Sequence, residues 1–259
     1  MTSDRENRFF GLCRKLASLK LTVALLLLLA ALVVGGTVYQ AGSGIYAAQR
    51  EVFASWFILL LGILPLPGML TVSLLLLLNL LAALFCRLSL SWRRAGLLLV
   101  HGGLLLLIGG GFFIQATARE YSLTLSEGQS GRTLVAADRG AAAELPMTIK
   151  LLDFSRSMHP GTDIPKSFTS RVEIAASGAR RLAVISMNRP LRYRGYTFYQ
   201  SSYAEDGRGG ESSTFQVVRN SGRWLPYAAS ALIFLGLTLH FLVMAAAAVK
   251  RELPAGGRP

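Results

Sequence analysis

The sequence predicts an α-helical membrane protein with four transmembrane helices and a small all-β extracytoplasmic domain, an antiparallel sandwich or open barrel. The 259 residues are 52% hydrophobic, and their mean hydropathy is +0.46. Four apolar segments are long enough to cross a bilayer, and the region before the last one alternates apolar and polar residues at period two. This composition excludes a disordered chain, and two cysteines cannot build a disulfide-rich secreted scaffold.

Each predicted span has about 20 mostly apolar residues, the length that a hydrocarbon core requires. A further apolar segment, Phe53 to Leu64, is shorter and is followed by Pro65 and Pro67. Because proline breaks helices, we expect an interfacial or re-entrant segment in the outer loop 40–67, with a fifth span as the alternative. The predicted helices are transmembrane helix 1 at 21–39, helix 2 at 68–86, helix 3 at 96–114 and helix 4 at 224–249.

Basic residues predict the orientation. Segments 1–20, 87–95 and 250–259 together hold eleven basic and three acidic residues, so the positive-inside rule makes all three cytoplasmic. Residues 115–223 then lie on the outer side of a bacterial cytoplasmic (inner) membrane. Most of the formal charge of +13 is therefore a topology signal and not a nucleic-acid footprint. A cleaved signal peptide in place of the first span is disfavoured, because its apolar run is long and a poor cleavage site follows it.

Six short alternating stretches in residues 115–223 predict strands. The segment 188–203 interleaves arginines with tyrosines, and Arg192, Arg194 and Tyr196 lie at its centre. Such a segment can bind anions or planar ligands, or it can be a strand with packed rings and solvated guanidinium groups. The predicted strands are Glu120–Leu125, Met147–Phe154, Ser170–Ala175, Leu182–Ser186, Tyr196–Ser201 and Thr214–Val218.

Two of the three histidines, His101 and His240, lie inside predicted spans. Ionisable groups inside a bilayer are costly and usually functional, and neutral imidazole is a common ligand of haem iron. His101 lies roughly 10 Å from Arg94 and His240 roughly 15 Å from Lys250 along their helices, so similar depths are possible. The alternative is a histidine that only forms a hydrogen bond to a neighbouring helix.

Glycines surround His101 at a spacing that places them on common helix faces. Gly103 and Gly110 are seven residues apart, which favours close helix packing and also allows a flat ligand to approach. His159, in a Met-His-Pro-Gly turn, is expected at the surface. No Walker loop, G-x-S-x-G, H-E-x-x-H or C-x-x-C-H motif is present, and the four spans contain no carboxylate that would suggest a proton-coupled transporter.

Several segments, in this order along the chain, resemble the ResB (CcsB) family of system II cytochrome c biogenesis proteins. They are Ser18-Leu-Lys-Leu-Thr-Val with Gly36-Thr-Val-Tyr-Gln, Phe53-Ala-Ser-Trp-Phe with Asn79-Leu-Leu-Ala-Ala, Val100-His-Gly-Gly, and Asn188-Arg-Pro-Leu-Arg-Tyr-Arg-Gly-Tyr-Thr-Phe-Tyr-Gln-Ser-Ser-Tyr. The chain is short for this family.

The resemblance implies a haem-handling subunit that acts with a ResC (CcsA)-like membrane protein to export haem b and attach it to apocytochrome c. The family's third-span histidine, a proposed haem ligand, carries over to His101. His240 is a weak candidate from its position alone, and Arg192, Arg194 and Tyr196 are speculative contacts to haem or to a partner. The chain would be a non-catalytic or co-catalytic subunit. The alternatives are a scaffold that stabilises the partner subunit and, less favoured, an unrelated membrane receptor or transporter.

Overall fold

The computed structural model describes residues 11–60, 62–87, 91–136, 142–162, 165–205 and 211–252. The chain divides into two compact units, one formed by 1–115 with 223–259 and the other by 116–222. The first holds the helices and the second holds a β domain. Three of the basic terminal residues on which the predicted orientation partly depends, Arg5, Arg8 and Arg258, lie outside the described residues.

Four helices of the first unit are long and apolar enough to cross a membrane. Together with the β domain, they confirm the fold class predicted from the sequence. A short helix, α2 (Ile45–Ala48), follows the first of them after Gly44, whose φ of +85° ends the preceding helix. The long helices are α1 (Leu19–Ser43), α3 (Met69–Arg87), α4 (Ala95–Thr117) and α5 (Leu225–Glu252).

The apolar segment between α1 and α3 is a β-hairpin in the described residues and not a fifth spanning helix. Strand β1 (Phe57–Leu60) pairs antiparallel with β2 (Leu64–Pro67). Two prolines in β2 exclude a helix there but are compatible with a two-stranded hairpin, whose outward amides need no partner. The ring of Trp56 stacks on Phe112 of α4, with centroids 6.3 Å apart. Whether this hairpin lies at the membrane interface stays a prediction.

Helices α1 and α3 pack around one buried polar side chain. Asn79 of α3 is only 1% exposed. Its amide nitrogen donates to the carbonyl oxygens of Leu16 and Ser18, and its amide oxygen accepts from the Thr22 hydroxyl at 2.7 Å. Because the apolar side chains of the two helices lack directional contacts, these hydrogen bonds fix the register at the start of α1.

A disulfide that the sequence did not predict joins Cys13 to Cys86, with their Cα atoms 6.6 Å apart. The two residues are 73 positions apart, a separation that carries no spacing signal. The bond connects the segment before α1 to the last turn of α3. The same end of these two helices is therefore held by both the disulfide and the Asn79 hydrogen bonds.

Helices α4 and α5 contact each other through glycines. Buried Gly96, Gly103 and Gly110 recur every seven residues along α4. A Cβ atom at Gly96 would lie 2.5 Å from the backbone nitrogen of His240, and one at Gly103 would lie 3.0 Å from the carbonyl oxygen of Ala229. The two backbones approach so closely only because these side chains are absent.

The β domain is one antiparallel sheet of eight strands in the order β7-β6-β5-β4-β3-β10-β9-β8, and it is not closed. Each of the six predicted strands overlaps an observed strand, whereas β4 and β8 were not predicted. The strands are β3 (Arg119–Ser126), β4 (Ser130–Ala136), β5 (Ala143–Met158), β6 (Pro165–Ala176), β7 (Ala179–Ser186), β8 (Leu191–Tyr193), β9 (Tyr196–Glu205) and β10 (Glu211–Arg219).

The core of the domain is apolar with a small polar centre. Phe198 and Phe215 are fully buried. Next to them, the Ser170 hydroxyl donates to the Gln200 side-chain oxygen at 2.7 Å, and the Gln200 amide donates to the Ser213 hydroxyl at 2.8 Å. These bonds satisfy polar groups that would otherwise be costly to bury.

Replacing Asn79 with leucine should weaken the α1–α3 contact. The variant removes the partner of Thr22 and leaves two carbonyl oxygens without their amide donor. We expect a loss of about 1 kcal/mol in the free energy of unfolding, measured by detergent titration. Thr37→Val is the matched control, because the Thr37 hydroxyl is exposed and bonds only within its own helix. An equal loss in both variants would contradict the assignment.

Replacing Gly96 with alanine should force α4 and α5 apart, because the new methyl group would meet the backbone of α5 and not a flexible side chain. We expect a destabilisation of about 1–3 kcal/mol. Gly109→Ala is the control, since nothing lies within 4 Å of its added Cβ. The same unfolding titration checks both variants. A stable Gly96→Ala protein would disprove the proposed role of this contact.

Candidate functional site

His101 lies in α4, and its orientation is fixed by a hydrogen bond within the helix. Its Nδ1 is 2.8 Å from the carbonyl oxygen of Leu97. A carbonyl oxygen can only accept, so Nδ1 carries a proton, and in the neutral ring Nε2 then keeps its lone pair. Histidines that bind metals commonly have this arrangement, with one ring nitrogen held by an acceptor and the other free to coordinate. The imidazole is partly buried.

The side chain of His101 lies on a different face of α4 from the glycines that contact α5. At about 100° per residue, five residues place it roughly 140° around the helix from Gly96. His101 is two residues before Gly103, so its side chain is roughly 160° around the helix from that glycine. The contact with α5 therefore holds α4 in place without covering the imidazole.

His240 belongs to α5 and lies where that helix contacts the glycine face of α4. Its backbone nitrogen adjoins Gly96. Its Nδ1 is buried and is the one side-chain nitrogen or oxygen among the described residues that is buried without a hydrogen-bond partner. Because Gly96 is five residues from His101, the two histidines differ in level by about 7.5 Å. The backbones that carry the two histidines therefore differ in level, and His101 leaves α4 on a face that the glycine contact does not cover.

The structure separates the three candidate residues of the β domain. Tyr196 belongs to the hydrophobic core, and the guanidinium of Arg219 lies 5.7 Å from its ring centre. Arg194 is in the left-handed region, with φ of +48°, and its guanidinium donates to the Ser177 hydroxyl at 3.1 Å. Arg192 is exposed on β8. Two basic groups are thus accessible to a ligand, and the tyrosine ring packs inside.

Arg192 also lines a groove that sequence analysis did not predict. The groove has a volume of about 700 Å³ and lies between β7 and β8. Three more arginines, Arg171, Arg181 and Arg189, line it together with apolar residues. The sequence shows several arginines after residue 170, but only the fold shows that they line one groove.

Other polar groups lie outside these sites. His159 is exposed, and its carbonyl oxygen accepts from the Thr162 amide at 3.1 Å in a turn, as expected for a surface position. The Tyr39 hydroxyl and the Arg50 guanidinium lower the pKa of the exposed Glu51. A hydrogen bond to Tyr203 and the charge of Glu205 raise the pKa of Arg156. Among the described residues, no group of three or more His, Cys, Asp and Glu side chains could hold a metal ion.

Comparisons with known proteins agree with this architecture. The ResB-like family matches residues 91–214, the region that includes α4 with His101 and nearly all of the β domain. The NrfI protein of Wolinella succinogenes is 33% identical over 101 residues, which are 38% of this chain and 11% of that protein. The cytochrome c biogenesis protein CcsB of Synechococcus sp. (strain CC9605) is 32% identical over 111 residues, 43% of this chain and 24% of that protein.

The CcsB protein of Prochlorococcus marinus (strain MIT 9301) is 28% identical over 113 residues, 43% of this chain and 25% of that protein. The chain thus matches a quarter or less of the length of these curated relatives. The resembling segments before residue 91 lie outside the family match. The match in α4 and the β domain confirms the resemblance seen in the sequence: residues 91–214 are similar to the ResB-like family.

Proposed function

We propose that this chain is a membrane subunit of a cytochrome c biogenesis system, which handles haem b together with a ResC/CcsA-like membrane protein and delivers it to apocytochrome c. One observation carries the proposal. The hydrogen bond from His101 Nδ1 to Leu97 leaves Nε2 without a hydrogen-bond partner among the described residues, on an apolar helix in the segment that matches the ResB-like family. An imidazole held in this way fits the axial position of haem iron.

The chain's own contribution is to position the haem ligand. Leu97 fixes the tautomer and the ring of His101, and the α4–α5 contact fixes the helix that carries it. In a bilayer, the apolar surroundings of this helix would keep water from the imidazole. Bound haem would supply the iron chemistry, and the chain would supply a neutral nitrogen ligand at a set depth.

The second axial ligand is proposed to come from the partner. The backbone of His240 lies about 7.5 Å from the level of His101 along the helix pair, and we do not assign the two residues to one iron. Its unpaired Nδ1 keeps it a weak candidate for a separate haem or polar contact. Arg192 and Arg194 remain proposed contacts to haem or to a partner, since both present guanidinium groups at the surface of the β domain.

The proposed orientation places both termini in the cytoplasm of a bacterial cell and the β domain outside the inner membrane. It rests on the eleven basic residues in the three segments that flank the spans on one side. In this orientation the outer domain holds no cysteine, so it needs no oxidative folding.

A second candidate function is a scaffold that stabilises the partner subunit. It is favoured by the β domain, whose open sheet leaves edge strands that another protein chain can pair with. In that case the side chain of His101 only packs against a neighbouring helix, and the β domain binds other proteins.

His101→Ala should remove haem from the complex without unfolding it. We expect bound haem to fall by about tenfold when the chain is purified together with its partner, because a first ligand is lost. Absorption spectroscopy with haem quantification measures this loss, and added imidazole should restore part of the Soret band by occupying the vacated space. Haem content unchanged from that of the unaltered complex would support the scaffold instead.

His159→Ala serves as the matched control for this experiment. It removes a histidine from an exposed turn of the β domain, so bound haem should not change. Size-exclusion chromatography of each variant checks that the complex stays intact. Haem loss in both variants would show that the effect is not specific to the membrane histidine.

The cysteine pair tests the proposed orientation. The structure joins Cys13 to Cys86, but if this end faces the cytoplasm, the reducing cell interior should break the bond and keep both residues as thiols. Acid quenching of growing cells, followed by a maleimide-linked polymer, should shift the protein twice without a reductant and once in Cys86→Ser. A shift that requires prior reduction would place this end on the oxidising side.

A further inference from the structure

The sheet of the β domain is open between β7 and β8. These strands are joined by a tight turn, in which Ser186 and Arg189 exchange two backbone hydrogen bonds of 3.2 and 3.0 Å. Pairing stops there. Within the described residues β7 pairs only with β6, and β8 pairs only with β9. The facing edges of β7 and β8 therefore have backbone groups without a strand partner.

The groove of about 700 Å³ occupies this opening. We call it the β7–β8 slot, the space lined by residues 181–184 of β7 and by residues 189–192, with Arg171 of β6 beside them. One end is closed by the Ser186–Arg189 turn. At the other end, the Arg194 side chain reaches the Ser177 hydroxyl. This second contact is a single hydrogen bond between exposed side chains, so it can open at little cost.

The net charge of the domain is concentrated around the slot. Residues 115–223 contain fifteen basic and ten acidic residues, and residues 171–194 alone contain six arginines and one glutamate. Both counts give a net charge of +5, so the rest of the domain is neutral. Of the slot arginines, Arg171 has a carboxylate partner, Asp153 at 3.7 Å. Among the described residues, Arg181, Arg189 and Arg192 form no ion pair.

The slot also exposes apolar side chains on an edge strand. Leu182 is 64% exposed and Val184 is 51% exposed, whereas Ile185 on the other face of β7 is fully buried. An edge with exposed aliphatic groups and unpaired backbone is a template for another strand. The arginines beside this edge favour a strand that carries negative charge.

We propose that the β7–β8 slot binds an extended acidic segment of a partner protein, which adds as a strand to the free edge of β7. Its backbone would pair with residues 181–184, its carboxylates would meet Arg181, Arg189 and Arg192, and its alternate apolar side chains would cover Leu182 and Val184. The inference goes beyond the proposed function, because it does not depend on haem or on His101.

A labelled peptide tests the slot on the full-length purified protein. The probe is a fluorescent peptide of about eight residues that alternates glutamate and valine, the length of a typical strand. We expect saturable binding by fluorescence anisotropy. The double variant Arg181→Glu/Arg192→Glu should bind about tenfold or more weakly, because two ion pairs become repulsive. A peptide that alternates lysine and valine should not bind.

Two matched controls separate strand addition from general attraction of charge. Lys166→Glu reverses an exposed charge elsewhere on β6 and should leave the affinity unchanged. Methylation of alternate backbone nitrogens keeps the peptide's charge but removes its strand hydrogen bonds, so it should abolish binding. Absence of peptide binding, or equal weakening by Lys166→Glu, would overturn the proposal. Full binding of the methylated peptide would make the slot a general anion site and would also overturn it.

Discussion

The close contact between α4 and α5 holds together the two points at which the chain leaves and re-enters the helical unit. Gly110, near the end of α4, adjoins Leu225 at the start of α5. Within the β domain, the strands that follow α4 and precede α5 are themselves paired, with Arg119 opposite Arg219. The two ends of the long insertion are therefore held close together by the helix contact in the first unit and by strand pairing in the β domain. Because glycine allows the helix backbones to touch, a chain of more than one hundred residues is inserted between two helices without separating them.

The same contact decides which histidine is available to a ligand. The glycine face of α4 is covered by α5, and this places His240 inside the helix pair and leaves His101 on another face. The hydrogen bond from His101 Nδ1 to the Leu97 carbonyl then fixes the orientation of the ring and therefore the direction of Nε2. One close approach of two backbones thus sets the two membrane histidines of this chain about 7.5 Å apart in level. It favours a site that is completed by a second protein.

The sequence predicted what depends on local pattern and missed what depends on distant contacts. The spans follow from apolar length, and six strands follow from alternation. Strand β8 was missed because it has three residues and depends on a turn in which Arg194 and Gly195 have positive φ. The hairpin of β1 and β2 was not predicted, because in the sequence its residues form only a short apolar run. The Cys13–Cys86 pair and the side chains around Asn79 meet only because two helices pack together.

The candidate sites were predictable to the same extent. His101 is visible in the sequence as a histidine in an apolar span, but the free Nε2 and its face follow from the helix geometry. The arginines of the β7–β8 slot are visible as a run of charge, but the opening that gathers them depends on where β7 stops pairing. Both features leave strong chemical groups without partners in the described chain, one in a membrane helix and one in the β domain. An ionisable side chain in a membrane helix is costly and usually functional, and a free strand edge is a template for another chain, so both features favour a protein that works as one part of a larger assembly.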